Sequence, residues 1–171
     1  MDLKSVIVDI PDFPQPGIIF RDLTPILENP DAFRVALDQL VTILADLEYT
    51  KLAGIESRGF LFAAPLARQL GIPLVLLRKA GKLPREVEAE SYALEYGQAT
   101  LEVHRDSLGA DDRVVILDDL LATGGTAAAS GRLVQKLGAR VAAYLFVVEL
   151  AGLHGRDVLT DAPVFSLVNY E

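Results

Sequence analysis

The sequence contains no cysteine, no tryptophan and only two histidines among its 171 residues. Without thiols, the chain can form no disulfide, no thiolate nucleophile and no cysteine-ligated zinc site. The two histidines, His104 and His154, are not spaced as a metal-binding pair on one helix face. These absences exclude disulfide frameworks, thiol enzymes and cysteine-zinc modules.

Positive charge and long apolar runs are also scarce. The 16 lysines and arginines face 24 acidic residues, and the formal net charge of −8 disfavours a nucleic-acid partner. Charged residues interrupt every apolar stretch before it reaches the roughly 18 residues that span a bilayer, and residues 1–4 do not begin an export signal. We therefore expect a cytoplasmic protein without a membrane partner, in which the basic residues of segment 78–85 bind a small anion.

The order of apolar segments predicts an α/β fold. A chain of this length suits one domain, here residues 1–171. Buried strands are predicted at 52–55, 73–77, 114–117 and 141–148, with helices at 31–47, 59–70 and 126–137. Strands that alternate with helices indicate a parallel sheet with crossover helices on its faces.

Two segments depart from this alternation. Residues 11–17 contain three prolines beside a glycine, which predicts a rigid loop. Residues 83–103 are typical of two strands around a Gly97-Gln98 turn, and their polar outer part offers little to anchor them against a core. That composition suits either a mobile flap over a site or an ordinary exposed hairpin.

The segment 114–126 predicts a phosphate site. It consists of a buried strand, the carboxylates Asp118 and Asp119, and a small-residue turn that opens a helix. Bare backbone at Gly124 and Gly125 lets amides converge on an anion, and the helix start adds partial positive charge. A Gly-Gly turn alone often only reverses the chain, but paired carboxylates at a strand end favour a ligand, because such ends are where open α/β sheets bind. A sugar phosphate fits both parts of the segment, because its hydroxyls suit the carboxylates and its phosphate suits the glycine turn.

The motifs of the chain resemble those of a known family. Residues 118–126 resemble the phosphoribosyl-pyrophosphate (PRPP) motif of type I phosphoribosyltransferases, and the remaining motifs are similar to the adenine phosphoribosyltransferase family. In chain order these are Phe13-Pro14 with Pro16-Gly17, Phe20-Arg21-Asp22-Leu23-Thr24-Pro25, Glu56-Ser57-Arg58-Gly59-Phe60, Arg78-Lys79 with Gly81-Lys82-Leu83-Pro84, Ser91-Tyr92 with Leu94-Glu95-Tyr96-Gly97, and Phe165-Ser166-Leu167.

The resemblance implies a fold and a reaction. The fold would be a central parallel sheet of about five strands flanked by helices, with a small hood and a flexible hairpin lid. The hood would comprise residues 10–28 and the C-terminal segment, and the lid residues 81–103. The reaction would transfer the 5-phosphoribosyl group of PRPP to adenine, giving AMP and pyrophosphate in purine salvage, with Mg²⁺ and in a homodimer.

The resemblance also assigns roles to residues. Glu95 would be catalytic, handling an imidazole-ring proton of the base. Magnesium would be bound mainly through PRPP, with no assured side-chain ligand. The PRPP and phosphate residues would be Asp118, Asp119, Ala122, Thr123, Gly124, Gly125 and Thr126. The pyrophosphate residues would be Ser57, Arg58, Arg78, Lys79 and Lys82, and the adenine residues Ile19, Phe20 and Arg21.

Two alternatives stay open at this point. A sister phosphoribosyltransferase acting on xanthine, hypoxanthine or orotate would share the same phosphate motif. A PRPP-sensing regulator without catalysis would usually add a basic DNA-binding module, which this acidic chain lacks. A Walker-type nucleotide hydrolase is excluded because no lysine follows Gly124-Gly125.

Overall fold

The computed structural model of the protein describes residues 1–94 and 96–171. These residues form nine strands and four α-helices, joined by short 3-10 turns. The strands are β1 (Val8–Pro11), β2 (Ile19–Asp22), β3 (Lys51–Ile55), β4 (Leu74–Lys79), β5 (Val87–Ala93), β6 (Gln98–His104), β7 (Arg113–Leu121), β8 (Arg140–Leu150) and β9 (Val164–Tyr170). The helices are α1 (Thr24–Glu28), α2 (Pro30–Leu44), α3 (Gly59–Leu70) and α4 (Gly125–Lys136).

The main sheet has seven strands in the order β5-β6-β4-β3-β7-β8-β9. The five strands from β4 to β9 in this order are parallel, which confirms the predicted parallel sheet and its strand number. Strands β5 and β6 form an antiparallel hairpin that joins the edge of the sheet through β4. The carboxyl ends of β3, β4 and β7 therefore lie side by side, where α/β sheets bind ligands.

Both faces of the sheet are covered, as its near-continuous apolar strands require. Val115 and Leu117 of β7 pack into the core formed with α2 and α3, whereas Val114 and Ile116 pack into the core formed with α4. All four are fully buried. The alternation follows from the two-residue period of a strand, and it holds β7 rigidly at the centre of the sheet.

Helix ends lie close to their predicted positions because local signals set them. Asn29 caps α2 by accepting hydrogen bonds from the amides of Asp31 at 3.0 Å and Ala32 at 3.1 Å. Helix α3 ends at Gly71, which adopts φ +67°. No helix among the described residues is long and apolar enough to cross a membrane.

Three features go beyond the sequence-based expectations. Strands β1 and β2 form a two-stranded antiparallel sheet that was not predicted, and the proline-rich loop connects them. The C-terminal segment, assigned above to the hood, forms β9 and pairs in parallel with β8. The hairpin is anchored at its base, since Leu101 is 2% and Val103 0% exposed. Short, half-exposed strands carry too few apolar positions for a clear period, so only pairing reveals them.

Candidate functional site

The turn after β7 forms a small cavity at the edge of the sheet. Residues 122–126, hereafter the phosphate loop, run from the end of β7 into the first turn of α4. The cavity has a volume of about 90 Å³ and is lined by Asp118, residues 120–127 and Phe146. Gly124 has φ +84°, a conformation that glycine adopts without strain. The loop and the helix start together present backbone amides and a positive dipole end, as an anion site requires.

A second cavity of about 230 Å³ adjoins the first and shares Asp118 and Thr126 with it. It joins residues from four separate parts of the sequence: the segment 56–58, Lys79, the β5–β6 hairpin and the segment 118–126. Residues predicted to bind the phosphate and residues predicted to bind the pyrophosphate therefore line the same cavity. Its lining consists of Glu56, Ser57, Arg58, Lys79, Tyr92, Leu101, Asp118, Asp119 and Thr126.

The two aspartates are held in different environments. Asp118 Oδ1 accepts a hydrogen bond from the Asp119 amide at 2.8 Å. Burial and the nearby charge of Asp119 hold the pKa of the Asp118 carboxyl well above its usual range, although Arg58 offsets part of this effect. The carboxyl also lies against Gly59, where a Cβ atom would approach Asp118 Oδ1 to 2.9 Å. Glycine at the start of α3 thus allows close approach of the helix to Asp118.

Asp119 is only 4% exposed, and one of its carboxylate oxygens is buried without a hydrogen-bond donor among the described residues. Arg58 Nε lies 2.8 Å from Asp119 Oδ2, yet this charge contact is not aligned as a hydrogen bond. That oxygen has no hydrogen-bond partner within the part of the chain that the structure describes. Because an unpaired buried acceptor is costly, a ligand hydroxyl that donated to it would stabilise the site.

Two of the predicted basic residues are bound to Glu56, which the sequence analysis did not assign a role. Arg78 Nε donates to Glu56 Oε1 at 2.6 Å, and Lys82 Nζ donates to Oε2 at 2.5 Å. Burial alone raises the pKa of Glu56, but the hydrogen bonds from Lys82 and Arg78 outweigh it and the pKa is lowered. Lys79 is exposed and lines the second cavity. The carboxylate therefore fixes Arg78 and Lys82 beside Ser57 and Arg58.

Tyr92 also lines the second cavity, and the sequence analysis did not assign it a role either. The Thr126 hydroxyl donates a hydrogen bond of 3.1 Å to the Tyr92 hydroxyl, which joins the hairpin to the phosphate loop. Farther along the hairpin, Glu90 pairs with Arg132 and Lys136 of α4. The sequence pattern around Tyr92 did not predict that its side chain lies in a site, because the hairpin was expected to be exposed. Its place in the motif Ser91-Tyr92 was the only feature of the sequence that could have indicated a role.

The predicted adenine residues lie on β2, away from the phosphate loop. Ile19 and Arg21 line a cavity of about 390 Å³ between β2 and the chain end, with Gly17, Ile18, Leu150, Gly152, Leu153, Tyr170 and Glu171. Phe20 alternates to the other face of β2, where its ring meets that of Phe13 edge-to-face at 5.2 Å. As described, this cavity shares no lining residue with the two at the sheet edge. Glu95 lies outside the described residues.

The Arg21 side chain connects the two-stranded sheet of β1 and β2 to β9 of the main sheet. Its guanidinium lies 4.1 Å from the centre of the Tyr170 ring and pairs with Asp9 of β1. Lys4 Nζ lies 4.5 Å from the same ring centre. Tyr170 is thus in contact with two cations, a favourable arrangement for an aromatic face. The Arg21 side chain is therefore already engaged by Asp9 and Tyr170.

Carboxylates beside an anion-binding loop and a basic cluster define a site for a phosphorylated sugar, and the family comparison agrees with it. A family model described as phosphoribosyl transferase domain matches residues 24–168. The chain belongs to the phosphoribosyltransferase family.

Similar proteins narrow the family further. The chain is 58% identical over 170 residues to the adenine phosphoribosyltransferase of Carboxydothermus hydrogenoformans, covering 99% of this chain and 100% of the relative. The crystal structure of that enzyme from Thermoanaerobacter pseudethanolicus matches with a TM-score of 0.95 and 46% identity, covering 98% of each chain. The Saccharomyces cerevisiae enzyme, solved with an imino-altritol bisphosphate and adenine, matches with a TM-score of 0.91 and 43% identity, covering 96% of each chain. Within its family, the chain therefore belongs with the adenine phosphoribosyltransferases.

Proposed function

We propose that this protein transfers the 5-phosphoribosyl group of PRPP to adenine, releasing pyrophosphate and forming AMP in purine salvage. The observation that carries the proposal is the shared lining of the two sheet-edge cavities: a phosphate loop, two buried carboxylates and a basic cluster adjoin one another. A phosphorylated ribose with a second anionic group fits this arrangement: its phosphate matches the phosphate loop, its hydroxyls match the carboxylates, and its second anionic group matches the basic cluster. The similarity to enzymes of this activity supports the same reaction.

The phosphate loop would bind the 5′-phosphate. Amides of Ala122, Thr123, Gly124 and Gly125 can donate to its oxygens, and the Thr126 hydroxyl can add a further donor. Asp118 and Asp119 would accept hydrogen bonds from the ribose hydroxyls, and the open acceptor on Asp119 supports this role. The sugar would then span the two cavities, with its reacting carbon toward the basic cluster.

The basic cluster would stabilise the leaving pyrophosphate. Breaking the bond between ribose C1 and pyrophosphate develops positive charge on the sugar and negative charge on the leaving group. Arg58 and Lys79 line the cavity, while Arg78 and Lys82 are held nearby by Glu56. Donors that are already in place lower the barrier without reorganising in the transition state. Ser57 lies in the same turn and can donate a hydroxyl hydrogen bond.

A magnesium ion fits this arrangement when it arrives with PRPP. Among residues 1–94 and 96–171, no group of three or more acidic or histidine side chains is placed to hold a metal ion. Mg²⁺ commonly takes substrate phosphate oxygens and water as most of its ligands. The ion would neutralise part of the negative charge on the pyrophosphate. Arg58, Lys79 and Lys82 would neutralise more of that charge.

The hood would bind adenine, which carries no charge and must be recognised by shape and directional hydrogen bonds. Backbone groups of Ile19 and Arg21 would read its edge and Phe20 would stack on the ring. Since the hood cavity and the sheet-edge cavities share no lining residue in this structure, catalysis would require the hairpin and hood to draw the two substrates together. Glu95 would then take or give an imidazole-ring proton while the C1–nitrogen bond forms.

Family membership also leads us to propose one domain, with a hood at residues 10–28 plus the C-terminal segment and a lid at 81–103. It further leads us to propose a homodimer and a cytoplasmic location. The net charge of −8 argues against nucleic acid as a partner. Light scattering on the purified protein measures the oligomeric state: a mass near twice 18.5 kDa is expected, and a monomer would contradict it.

A base panel tests the reaction. Purified protein would be assayed with PRPP, Mg²⁺ and one base at a time, following nucleotide and pyrophosphate by chromatography. We expect kcat/KM for adenine to exceed that for hypoxanthine, xanthine or orotate by about 10²-fold or more, because each of these presents a different hydrogen-bond pattern. Faster turnover of another base would show the substrate to be wrong, and no turnover of any base would favour a PRPP-sensing role.

The contacts of Tyr170 predict an effect on adenine. Replacing Tyr170 with leucine removes both cation contacts, at about 0.5–1 kcal/mol each, and loosens the hood that carries β2. We expect the KM for adenine to rise about 5- to 30-fold, with a much smaller change for PRPP. Steady-state kinetics measures both constants.

Tyr49→Leu is the matched control, because Tyr49 packs on the same core but lies after α2, far from the hood in sequence. It should leave both KM values nearly unchanged. A Tyr170→Leu variant that melts at a lower temperature yet keeps the KM for adenine would show that the ring stabilises the fold only.

A further inference from the structure

An ion pair behind the phosphate loop, between a buried carboxylate and an arginine that is partly exposed, has no part in the reaction as proposed. Glu149 lies near the carboxyl end of β8 and is 3% exposed. Its carboxylate accepts hydrogen bonds from Arg156 Nε at 3.0 Å, from Arg156 Nη2 at 2.5 Å and from the Ser166 hydroxyl at 2.7 Å. A carboxylate with three donors in the interior is a strongly constrained group.

The same ion pair fixes a short segment of chain. Arg156 belongs to the 3-10 turn Gly155–Val158, which lies between β8 and β9. Besides its two bonds to Glu149, Arg156 donates through Nη1 to the Val164 carbonyl at 2.5 Å. The turn is therefore tied to both neighbouring strands by one side chain.

This turn lies in direct contact with the phosphate loop. A Cβ atom added to Gly155 would lie 2.2 Å from the Ala122 carbonyl oxygen, and one added to Gly124 would lie 2.4 Å from the Gly155 carbonyl oxygen. Both distances are far below van der Waals contact. The two backbone segments therefore pack directly against each other, and neither position has room for a side chain. Gly155 is buried, as is Gly124.

We propose that Glu149 and Arg156 are positioning residues for the phosphate loop: their ion pair holds Gly155 against Ala122 and Gly124, and so sets where the loop amides point. The inference rests on the proposed function, since it concerns the subsite for the 5′-phosphate. Amide donors act on an anion only when they converge within hydrogen-bond distance. A shift of the turn by a fraction of an ångström would spread them apart.

The test is the variant Gly155→Ala in the full chain. Its methyl group cannot fit beside the Ala122 carbonyl, so the loop must shift. We expect the Kd for ribose 5-phosphate, measured by calorimetry, and the KM for PRPP to rise about tenfold or more, while the KM for adenine changes less than about twofold. Ribose 5-phosphate is the probe because it carries the 5′-phosphate without pyrophosphate or base.

Gly109→Ala is the matched control, because a Cβ atom there meets nothing within 4 Å. It should leave all three constants unchanged. If Gly155→Ala binds ribose 5-phosphate as the parent protein does, the inference is overturned. If the parent protein itself binds no ribose 5-phosphate and turns over no adenine, the proposed function fails.

A second series of variants distinguishes an effect on loop position from an effect on folding. It also tests the proposal if the Gly155→Ala variant does not fold. Arg156→Met leaves Glu149 buried without its partner and should lower both Tm and phosphate affinity. Combining it with Glu149→Gln removes the lone charge and should restore much of the Tm. We expect the double variant to bind ribose 5-phosphate as weakly as Arg156→Met, and Arg156→Lys to lie between it and the parent. Phosphate affinity that recovers with Tm would overturn the positioning role.

Discussion

Asp118→Asn is expected to weaken the binding of PRPP about 10- to 100-fold while raising the melting temperature of the ligand-free protein. The loss follows from the hydrogen bond between a ribose hydroxyl and a charged carboxylate, a class of bond with a typical value of about 1.5–3 kcal/mol. The gain follows from burial, because the Asp118 carboxyl pays a desolvation penalty and faces the charge of Asp119.

The sign of the pH dependence follows from the same shift. The folded protein raises the pKa of Asp118 above its unfolded value of about 3.9, so the native state binds this proton more tightly. The free energy of unfolding therefore falls as the pH rises from the unfolded pKa through the raised folded pKa, and the penalty stays in full above it. Asparagine does not ionise, so the variant should lose this part of the pH dependence.

Melting curves between about pH 4 and 8 measure the stability effect, where each ~1 kcal/mol corresponds to about 2–4 °C for a chain of this size. Kinetics at neutral pH measures the KM for each substrate. Asp111→Asn is the control, since Asp111 is exposed and lies before β7, whereas the phosphate loop follows the other end of that strand. Equal loss of affinity for PRPP and adenine, or a lower Tm at neutral pH, would contradict the role assigned to Asp118.

Glu95→Gln is expected to lower kcat by about 10²-fold or more with little change in PRPP binding, because general acid-base catalysis typically contributes that much. The prediction comes from the resemblance of the segment 94–97 to the family motif. Glutamine keeps the size and polarity of the side chain but cannot take a proton from the base. Single-turnover kinetics with adenine and PRPP would measure the chemical step apart from product release.

Glu86→Gln is the matched control for this variant, because it makes the same substitution at an exposed glutamate of the same lid segment. It should leave kcat unchanged within about twofold. A pH profile adds a second readout: the parent enzyme should lose activity where the catalytic carboxylate is protonated, and the variant should not show that limb. Unchanged turnover in Glu95→Gln would remove this residue from the mechanism.

The central fold was predictable because local signals and burial agree there. Uninterrupted apolar runs marked β3, β4, β7 and β8, and each was found with its ends displaced by a few residues. The strand predicted at 114–117 continues to Leu121, past both aspartates, since pairing with β8 extends the ladder beyond the apolar run. Strands β1, β2 and β9 escaped prediction, because they gain their regularity from pairing with partners distant in the sequence.

Composition, residue spacing and resemblance determined the type of fold, the phosphate motif and the family, since each depends on features within a few neighbouring residues or on their order along the chain. Tertiary structure alone decided that Glu56 holds Arg78 and Lys82, that Tyr92 reaches Thr126, and that Gly155 lies against Gly124. These contacts join residues 22 to 34 positions apart, and they exist because the sheet brings strand ends together that the linear sequence keeps apart. The two-residue period of strands and the 3.6-residue period of helices predict local structure, and neither predicts a contact between distant segments.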